Sequence, residues 1–240
     1  MGLKLLCVVA HPDDECFAFG GALALASNHG VETYVVCFTD GQAATARGTA
    51  ADGAELGRMR RSEFAASCKV LGVTHHELLD YDDARMEFVD FSRTAGRLVE
   101  RMRRFRPDIV ITFGTEGALN THADHMMVSM LTTAAFHWSG RPKRYPELAV
   151  FQPARLYYLS TNFFMDDRQP PLPMPWTVKL DVRSVLNRKL LAFREHTSQS
   201  PLVEKTKDLF ARYGDYEFYS LVASPEPGQA QLADNLFSGL

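Results

Sequence analysis

The segment Ala10-His-Pro-Asp-Asp-Glu15 places one imidazole and three carboxylates directly after an apolar run. A histidine three residues before an aspartate, here His11 and Asp14, can supply two ligands to one zinc ion, and Asp13 between them can act on bound water. A buried strand gains no stability from so much charge at its end. The segment therefore predicts a metal-dependent catalytic site.

A second cluster, His122-Ala-Asp-His125, follows the apolar run 108–113 and a turn that contains glycine. Ligands of open α/β sheets bind at the carboxyl ends of the strands. If the two apolar runs are neighbouring strands, His125 joins His11 and Asp14 as a third ligand. The fourth zinc position then stays open for water or substrate, which is typical of a catalytic metal.

Alternating apolar and amphipathic runs predict the elements that position these clusters. Runs rich in β-branched residues predict strands at 5–10, 31–39, 108–113, 156–159 and 178–182, the last two near a sheet edge. Helical patterns occupy 20–28, 55–71, 92–105, 122–136 and 184–196. This alternation is typical of a doubly wound α/β sheet with parallel strands.

Length and composition favour one soluble domain over 1–240, with a core at 1–136 and extra strands, a loop at 161–176 and a C-terminal helix and tail in 137–240. The net charge is −3, so neither nucleic acid nor a membrane surface is an expected partner. The basic cluster 101–106 is expected to be a solvated helix face. Four scattered cysteines favour a reducing, cytoplasmic location. The oligomeric state stays open, a homo-oligomer included.

The two histidine clusters together resemble the LmbE-like, or PIG-L-type, zinc-dependent N-deacetylases. That family includes the N-acetylglucosaminyl-phosphatidylinositol de-N-acetylase and the deacetylases of mycothiol and bacillithiol biosynthesis. Weaker matches, which extend the resemblance over most of the chain, are Arg60-x-x-Glu63 with Leu71-Gly-Val73, Tyr81-x-Asp83 and His196-x-Ser-Gln199. The family often has proline where Ala123 stands, and some members carry tyrosine near the position of Asn120.

The resemblance implies a Rossmann-like three-layer fold with a mostly parallel central sheet, and zinc bound by His11, Asp14 and His125. Ferrous iron can replace zinc in such a site of nitrogen and oxygen ligands. The implied activity is removal of an acetyl group from an N-acetylated amino sugar, an N-acetylglucosaminide of thiol or glycoconjugate metabolism. Two alternatives remain: an amidase that acts on another acylated amine or thiol conjugate, and a catalytically silent sugar- or metal-binding module.

The resemblance also implies the catalytic roles. Asp13 would be the general base and later the acid, and His122, oriented by Asp124, would be the charged stabiliser of the oxyanion. That pairing needs His122 in the turn before a helix, because residues two apart diverge on a regular helix. We therefore expect this helix to begin between residues 121 and 124.

Four further residues are candidate substrate ligands: Arg60, Asp83, Arg47 and His196. Arg60 and Glu63 could equally form an ordinary ion pair three residues apart on a helix. His196 could equally end a helix and satisfy its carbonyl groups. The chain has no Gly-x-Gly-x-x-Gly after the first strand and no Gly-x-Ser-x-Gly, which argues against dinucleotide binding and against a serine hydrolase.

Overall fold

The computed structural model describes residues 2–118, 120–161, 174–226 and 232–240. The first half of the chain forms β1 (Lys4–Val9), α1 (Asp14–Phe17), α2 (Gly20–Asn28), β2 (Glu32–Thr39), α3 (Gly53–Leu71), β3 (His75–Tyr81), α4 (Phe91–Phe105), β4 (Ile109–Phe113) and α5 (Ala123–Ser139). The second half forms β5 (Arg155–Ser160), β6 (Val178–Asp181), α6 (Leu186–Arg194), α7 (Ser200–Tyr213) and β7 (Tyr216–Ala223).

The strands form one seven-stranded sheet in the order β3-β2-β1-β4-β5-β7-β6. β1 pairs in parallel with both β2 and β4, and only β7 runs antiparallel to its neighbours β5 and β6 among the described strands. Helices flank the sheet, so the three-layer α/β fold with a mostly parallel sheet is confirmed. The direction of winding reverses between β1 and β4, and such a switch point opens a crevice at the carboxyl ends of the strands.

β1 and β4 lie in the centre of the molecule. Every residue of β4, and all of β1 except Lys4, is buried, as expected for parallel strands covered by helices on both faces. Leu5 lies opposite Ile109 in the register. The two apolar runs that precede the histidine clusters are therefore neighbouring strands, as the site prediction required.

The solvated face predicted for the basic cluster is wrong at one position. Arg103 is only 4% exposed. Its guanidinium donates to carbonyl groups at the end of α5 and in the segment that follows, namely those of Trp138, Ser139, Arg141, Arg144, Tyr145 and Leu148. Arg103 thus fastens α4 to α5 by satisfying backbone groups that the helix end leaves free.

The C-terminal half is more regular than its sequence pattern indicates. The elements α7 and β7 were not predicted, and β7 lies between β5 and β6. Of the two runs predicted near a sheet edge, β6 lies at the edge and β5 is the third strand from it. Most of the predicted 161–176 loop falls outside the described residues.

β7 also connects the two halves of the fold. The Glu217 carboxylate accepts hydrogen bonds from the backbone N–H groups of Gly21 (2.7 Å) and Ala22 (2.9 Å) at the start of α2. Lys189 Nζ lies 2.6 Å from the same carboxylate. A Cβ atom at Gly21 would lie 2.6 Å from Glu217 Oε1, so this approach needs glycine.

Within the described part of the chain, every helix is too short or too polar to cross a membrane.

Candidate metal centre

The end of β1 and the start of α1 fix the first two predicted ligands. The Asp14 carboxylate accepts hydrogen bonds from the backbone N–H of His11 (2.8 Å) and of Ala10 (3.2 Å). This turn folds the carboxylate back beside the His11 ring, with Asp14 Oδ2 3.6 Å from His11 Nδ1. Both side chains are almost completely buried.

His125 reaches the same place from α5, and two contacts orient its ring. The ring stacks on Phe113 with a centroid distance of 4.0 Å and an interplanar angle of 7°. Its Nδ1 lies 3.2 Å from the carbonyl oxygen of Gly117. A hydrogen bond at Nδ1 leaves the Nε2 lone pair free for a metal, the usual arrangement for a ligating histidine.

The three ligand atoms are spaced for one cation. His125 Nε2 lies 3.3 Å from His11 Nδ1 and 3.3 Å from Asp14 Oδ1. Ligands at ordinary zinc bond lengths in a tetrahedron are about 3.3 to 3.6 Å apart. The observed spacing, the burial and the set of two imidazoles and one carboxylate all fit a divalent metal ion.

The outer nitrogen of His11 faces two further carboxylates. His11 Nε2 lies 3.0 Å from Asp83 Oδ1 and 3.2 Å from Asp124 Oδ2. Asp124 also accepts hydrogen bonds from the backbone N–H of Ala84 (2.8 Å) and Met86 (3.3 Å). We expected the Asp124 carboxylate to orient His122. In the structure this carboxylate instead orients His11, a candidate metal ligand.

His122 is held by the backbone of Asp124. α5 begins at Ala123, within the predicted 121–124 limits, and His122 Nδ1 accepts the N–H of Asp124 at 3.2 Å as the N-cap. Burial and the neighbouring His11 and His125 lower the pKa of His122. The arrangement favours a neutral imidazole with its proton on Nε2, in place of the imidazolium that we expected.

Asp13, the predicted base, has a strained backbone with φ of 106°. Such angles are uncommon outside glycine and occur most often at functional sites. Its carboxylate lies 2.9 Å from Arg60 Nη2. Burial raises the pKa of Asp13 to about 6, although Arg60 acts in the opposite direction.

The alternative ion pair between Arg60 and Glu63 is wrong. Arg60 is only 3% exposed, and it also donates to the carbonyl oxygens of Pro12 and Gly41. Glu63 instead accepts from the Ser198 backbone N–H (2.8 Å) and hydroxyl (2.7 Å). Arg60 therefore belongs to the site, where it orients Asp13.

The sequence profile of the PIG-L family, described as GlcNAc-PI de-N-acetylase, matches residues 6–136. This segment includes all three candidate metal ligands and Asp13. The chain belongs to the PIG-L family.

Three relatives illustrate its place in the PIG-L family. A 1D-myo-inositol 2-acetamido-2-deoxy-alpha-D-glucopyranoside deacetylase of Acidothermus cellulolyticus is 29% identical over 99% of this chain and 95% of its own length. A mycothiol S-conjugate amidase of Streptomyces coelicolor is 29% identical to this chain. The match covers 65% of this chain and 60% of the length of the amidase. The structure of N,N'-diacetylchitobiose deacetylase from Pyrococcus horikoshii superposes with a TM-score of 0.70 at 23% identity, covering 92% of this chain and 86% of that one.

His196, in one of the weaker PIG-L motifs, has a structural role. His196 is fully buried, and its Nε2 lies 2.8 Å from Glu15 Oε1. Glu15 in turn accepts from the Ser67 hydroxyl (2.5 Å) and from the backbone N–H of Asp13 (2.9 Å). His196 lies outside the lining of the cavity. It does follow the end of α6, where its backbone N–H donates to Phe193 O at 3.2 Å, but its ring contacts Glu15 and so supports the turn at Asp13.

A cavity of about 350 Å³ opens above the candidate ligands. Asp83 and Arg60 line it, whereas the exposed Arg47 does not, and a substrate contact by Arg47 stays a prediction. Gln199 of the His196-x-Ser-Gln199 motif also lines it, and residues that were not selected from the sequence complete its wall: Ala43, Ala44, Thr45, Ala84, Asn120 and Leu202. They have small or neutral side chains, so the only signal that could have found them is their place next to the motifs.

Proposed function

We propose that this protein is a metal-dependent hydrolase that removes the acetyl group from an N-acetylated amino sugar, with an N-acetylglucosaminide as substrate. The observation that carries the proposal is the spacing of His11, Asp14 and His125 beside an open cavity that Asp13 also lines. Its deacetylase relatives act on N-acetylated glucosides by name. The size of the cavity, about 350 Å³, suits a small glycoside.

Zinc is the proposed metal, and ferrous iron is the second choice for the same ligands. When bound, a divalent ion acts as a Lewis acid on water and on the amide carbonyl group. His11 and His125 each use their second ring nitrogen in a hydrogen bond, which fixes the tautomer that presents a lone pair to the ion.

Asp13 accepts the proton of the attacking water and returns it to the departing amine. Its pKa near 6 leaves it ionised at neutral pH but basic enough to take up a proton. Arg60 restrains the carboxylate through the 2.9 Å contact. His122 donates a hydrogen bond from its Nε2–H to the developing oxyanion and keeps the proton, as a neutral imidazole whose Nδ1 already accepts a backbone N–H.

The second candidate is an amidase acting on an acylated amine in a thiol conjugate. The 29% identity to mycothiol S-conjugate amidase supports it. The bond broken and the residues required are the same. The two functions differ only in the group that the cavity wall accepts.

The test is acetate release by the metal-loaded protein from N-acetylglucosaminyl inositol, N-acetylglucosaminyl malate, diacetylchitobiose and free N-acetylglucosamine. We expect release from at least one of these glucosaminides. A chelator should abolish the activity, and zinc or ferrous iron should restore it.

Acetate release from none of the four would contradict the deacetylase. Hydrolysis of a mycothiol S-conjugate would then support the amidase. Stoichiometric zinc with no hydrolysis of any compound would support a silent binding module. Wild-type protein that retains no divalent metal after loading would overturn the proposed centre itself.

A further inference from the structure

Asp83 contacts both a candidate metal ligand and the wall of the cavity. Its Oδ1 lies 3.0 Å from His11 Nε2, and its Oδ2 accepts the backbone N–H of Ala43 at 3.0 Å. The residue is 9% exposed. One buried carboxylate therefore joins the outer nitrogen of His11 to a segment that lines the cavity.

That segment is the site loop, which we define as residues 41–48. Ala43, Ala44 and Thr45 of this loop line the cavity. Besides Asp83, three other side chains hold its backbone: Arg60 donates to Gly41 O at 3.1 Å, Thr39 Oγ1 accepts the Gly41 N–H at 3.2 Å, and Gln199 donates to Ala46 O at 3.0 Å. The conformation of the site loop therefore depends on side chains that also form the site.

Asp83 and Asp124 both accept from the Nε2–H of His11, but the two carboxylates are themselves held by different parts of the chain. Asp124 is fixed by backbone N–H groups of Ala84 and Met86 and is fully buried. Asp83 is fixed by the site loop. Asp124 therefore holds His11 to the core of the fold, whereas Asp83 holds it to a surface segment.

We propose that Asp83 is a positioning residue that couples metal binding at His11 to the order of the site loop. A cation on Nδ1 makes the opposite N–H a stronger donor and fixes the ring, so the carboxylate and Ala43 are fixed in turn. The coupling is reciprocal, because a loop that holds Asp83 in place raises metal affinity by the same factor. The inference rests on the metal centre proposed above.

Asp83→Asn tests this link because a carboxamide has only one acceptor oxygen. The carboxylate faces two donors, His11 Nε2–H and Ala43 N–H, on its two oxygens. An asparagine satisfies one of them and turns its NH2 group toward the other. Asp82→Asn is the matched control, since it removes the same charge from the neighbouring exposed residue. Asp82 accepts from the Gln42 side chain of the site loop at 3.4 Å, a contact that a carboxamide oxygen can keep.

The experiment measures zinc affinity by competition with a chelating dye, and the rate of tryptic cleavage after Arg47 with and without zinc. In the wild type and in Asp82→Asn, we expect zinc to slow cleavage about five-fold or more. In Asp83→Asn, zinc affinity should fall about ten-fold. Cleavage of this variant at saturating zinc should equal cleavage of its metal-free form.

Wild-type protein that binds zinc but is cleaved at the same rate with and without it would overturn the coupling, while leaving the metal centre intact. So would an Asp83→Asn variant that retains wild-type affinity and wild-type protection. If Asp83→Asn does not fold, as judged by circular dichroism, the wild-type comparison decides alone. A wild type that binds no zinc contradicts the proposed function instead.

Discussion

Asp13 combines a strained backbone with a restrained carboxylate. A φ of 106° costs roughly 1–3 kcal/mol for a residue other than glycine. Two contacts hold Asp13 in this conformation. Arg60 donates to its carboxylate, and Glu15 accepts its backbone N–H. This backbone conformation lets the Asp13 carboxylate face the cavity while its neighbour Asp14 lies among the candidate metal ligands.

Asp13→Asn should therefore remove activity and leave the metal in place. The carboxamide keeps an oxygen for Arg60 but takes up no proton, so the rate of deacetylation should fall about 10²- to 10⁴-fold. Elemental analysis should find the same metal content as in the wild type. Activity above a tenth of the wild-type value would show that the base is another group.

His122→Asn addresses the neutral donor. The variant loses the Nε2 proton donor while an asparagine can still cap α5. We expect kcat to fall about 100-fold with little change in KM, because the hydrogen bond forms only in the transition state. A rise in KM with kcat unchanged would assign His122 to ground-state binding.

The candidate metal ligands could be predicted from sequence because His11 and Asp14 come soon after β1, His125 belongs to the histidine cluster between β4 and the body of α5, and the strand pattern gives the common edge. The partners of those ligands could not. Asp124 lies two residues from His122 in sequence, yet its carboxylate meets His11 and the turn at Ala84 and Met86. That choice depends on where the segment after β3 passes, which local spacing does not encode.

At the scale of elements, Arg103 fastens α4 to the end of α5. Arg103→Met should lower the free energy of unfolding by about 2–4 kcal/mol, because buried carbonyl groups lose their donors. Arg104→Met is the matched control, since Arg104 is exposed and pairs with Glu100 at the surface. Urea titration of both variants measures the difference. Equal effects would show that the buried contacts of Arg103 contribute nothing.

The edge strand β3 is joined to α4 by Glu77 and Arg101, with Arg101 Nε 2.7 Å from Glu77 Oε2. The hydrogen bond from Arg101 lowers the pKa of Glu77 below its ordinary 4.5. A depressed carboxylate pKa stabilises the fold above the unfolded-state pKa, and this contribution disappears as pH falls through the folded-state pKa.

Glu77→Gln should accordingly be less stable than the wild type at pH 7. The difference should shrink as pH falls below 4.5 and vanish once the pH has passed the folded-state pKa of Glu77. Free energies of unfolding by urea at a series of pH values measure it. Glu87→Gln, at an exposed position, is the control. A difference that is independent of pH would mean that packing and not charge explains the effect of the Glu77 variant.

β1, β2, β4 and β5 and the longer helices between them could be predicted because their apolar periods are uniform. β3 could not, because it begins with His75-His-Glu77 and has no long apolar run. β7 could not, because Tyr216–Ala223 has no regular alternation and includes the buried polar residues Glu217 and Ser220. A buried carboxylate has the sequence signature of a surface residue. Its partners, Gly21 and Lys189, are distant in the chain, so only the folded structure reveals the reason for it.

For the whole molecule, the prediction of a single unit over 1–240 has a direct test. The family match ends at residue 136. However, Glu63 and Glu15 have their partners at Ser198 and His196. A fragment of residues 1–160 should lack a cooperative thermal transition, whereas the full chain should show one. A fragment that melts cooperatively would prove the N-terminal part to be independent.

The contact between Glu217 and the first turn of α2 has a consequence for what this molecule can evolve to bind. Doubly wound folds commonly receive a nucleotide phosphate on the amide groups of an early helix. Here the same kind of amide groups, those of Gly21 and Ala22, are already neutralised by a side chain of the protein itself. The Glu217 carboxylate thus occupies the position that a bound anion would take. A nucleotide phosphate could bind these amide groups only after the contact between Glu217 and α2 had been lost.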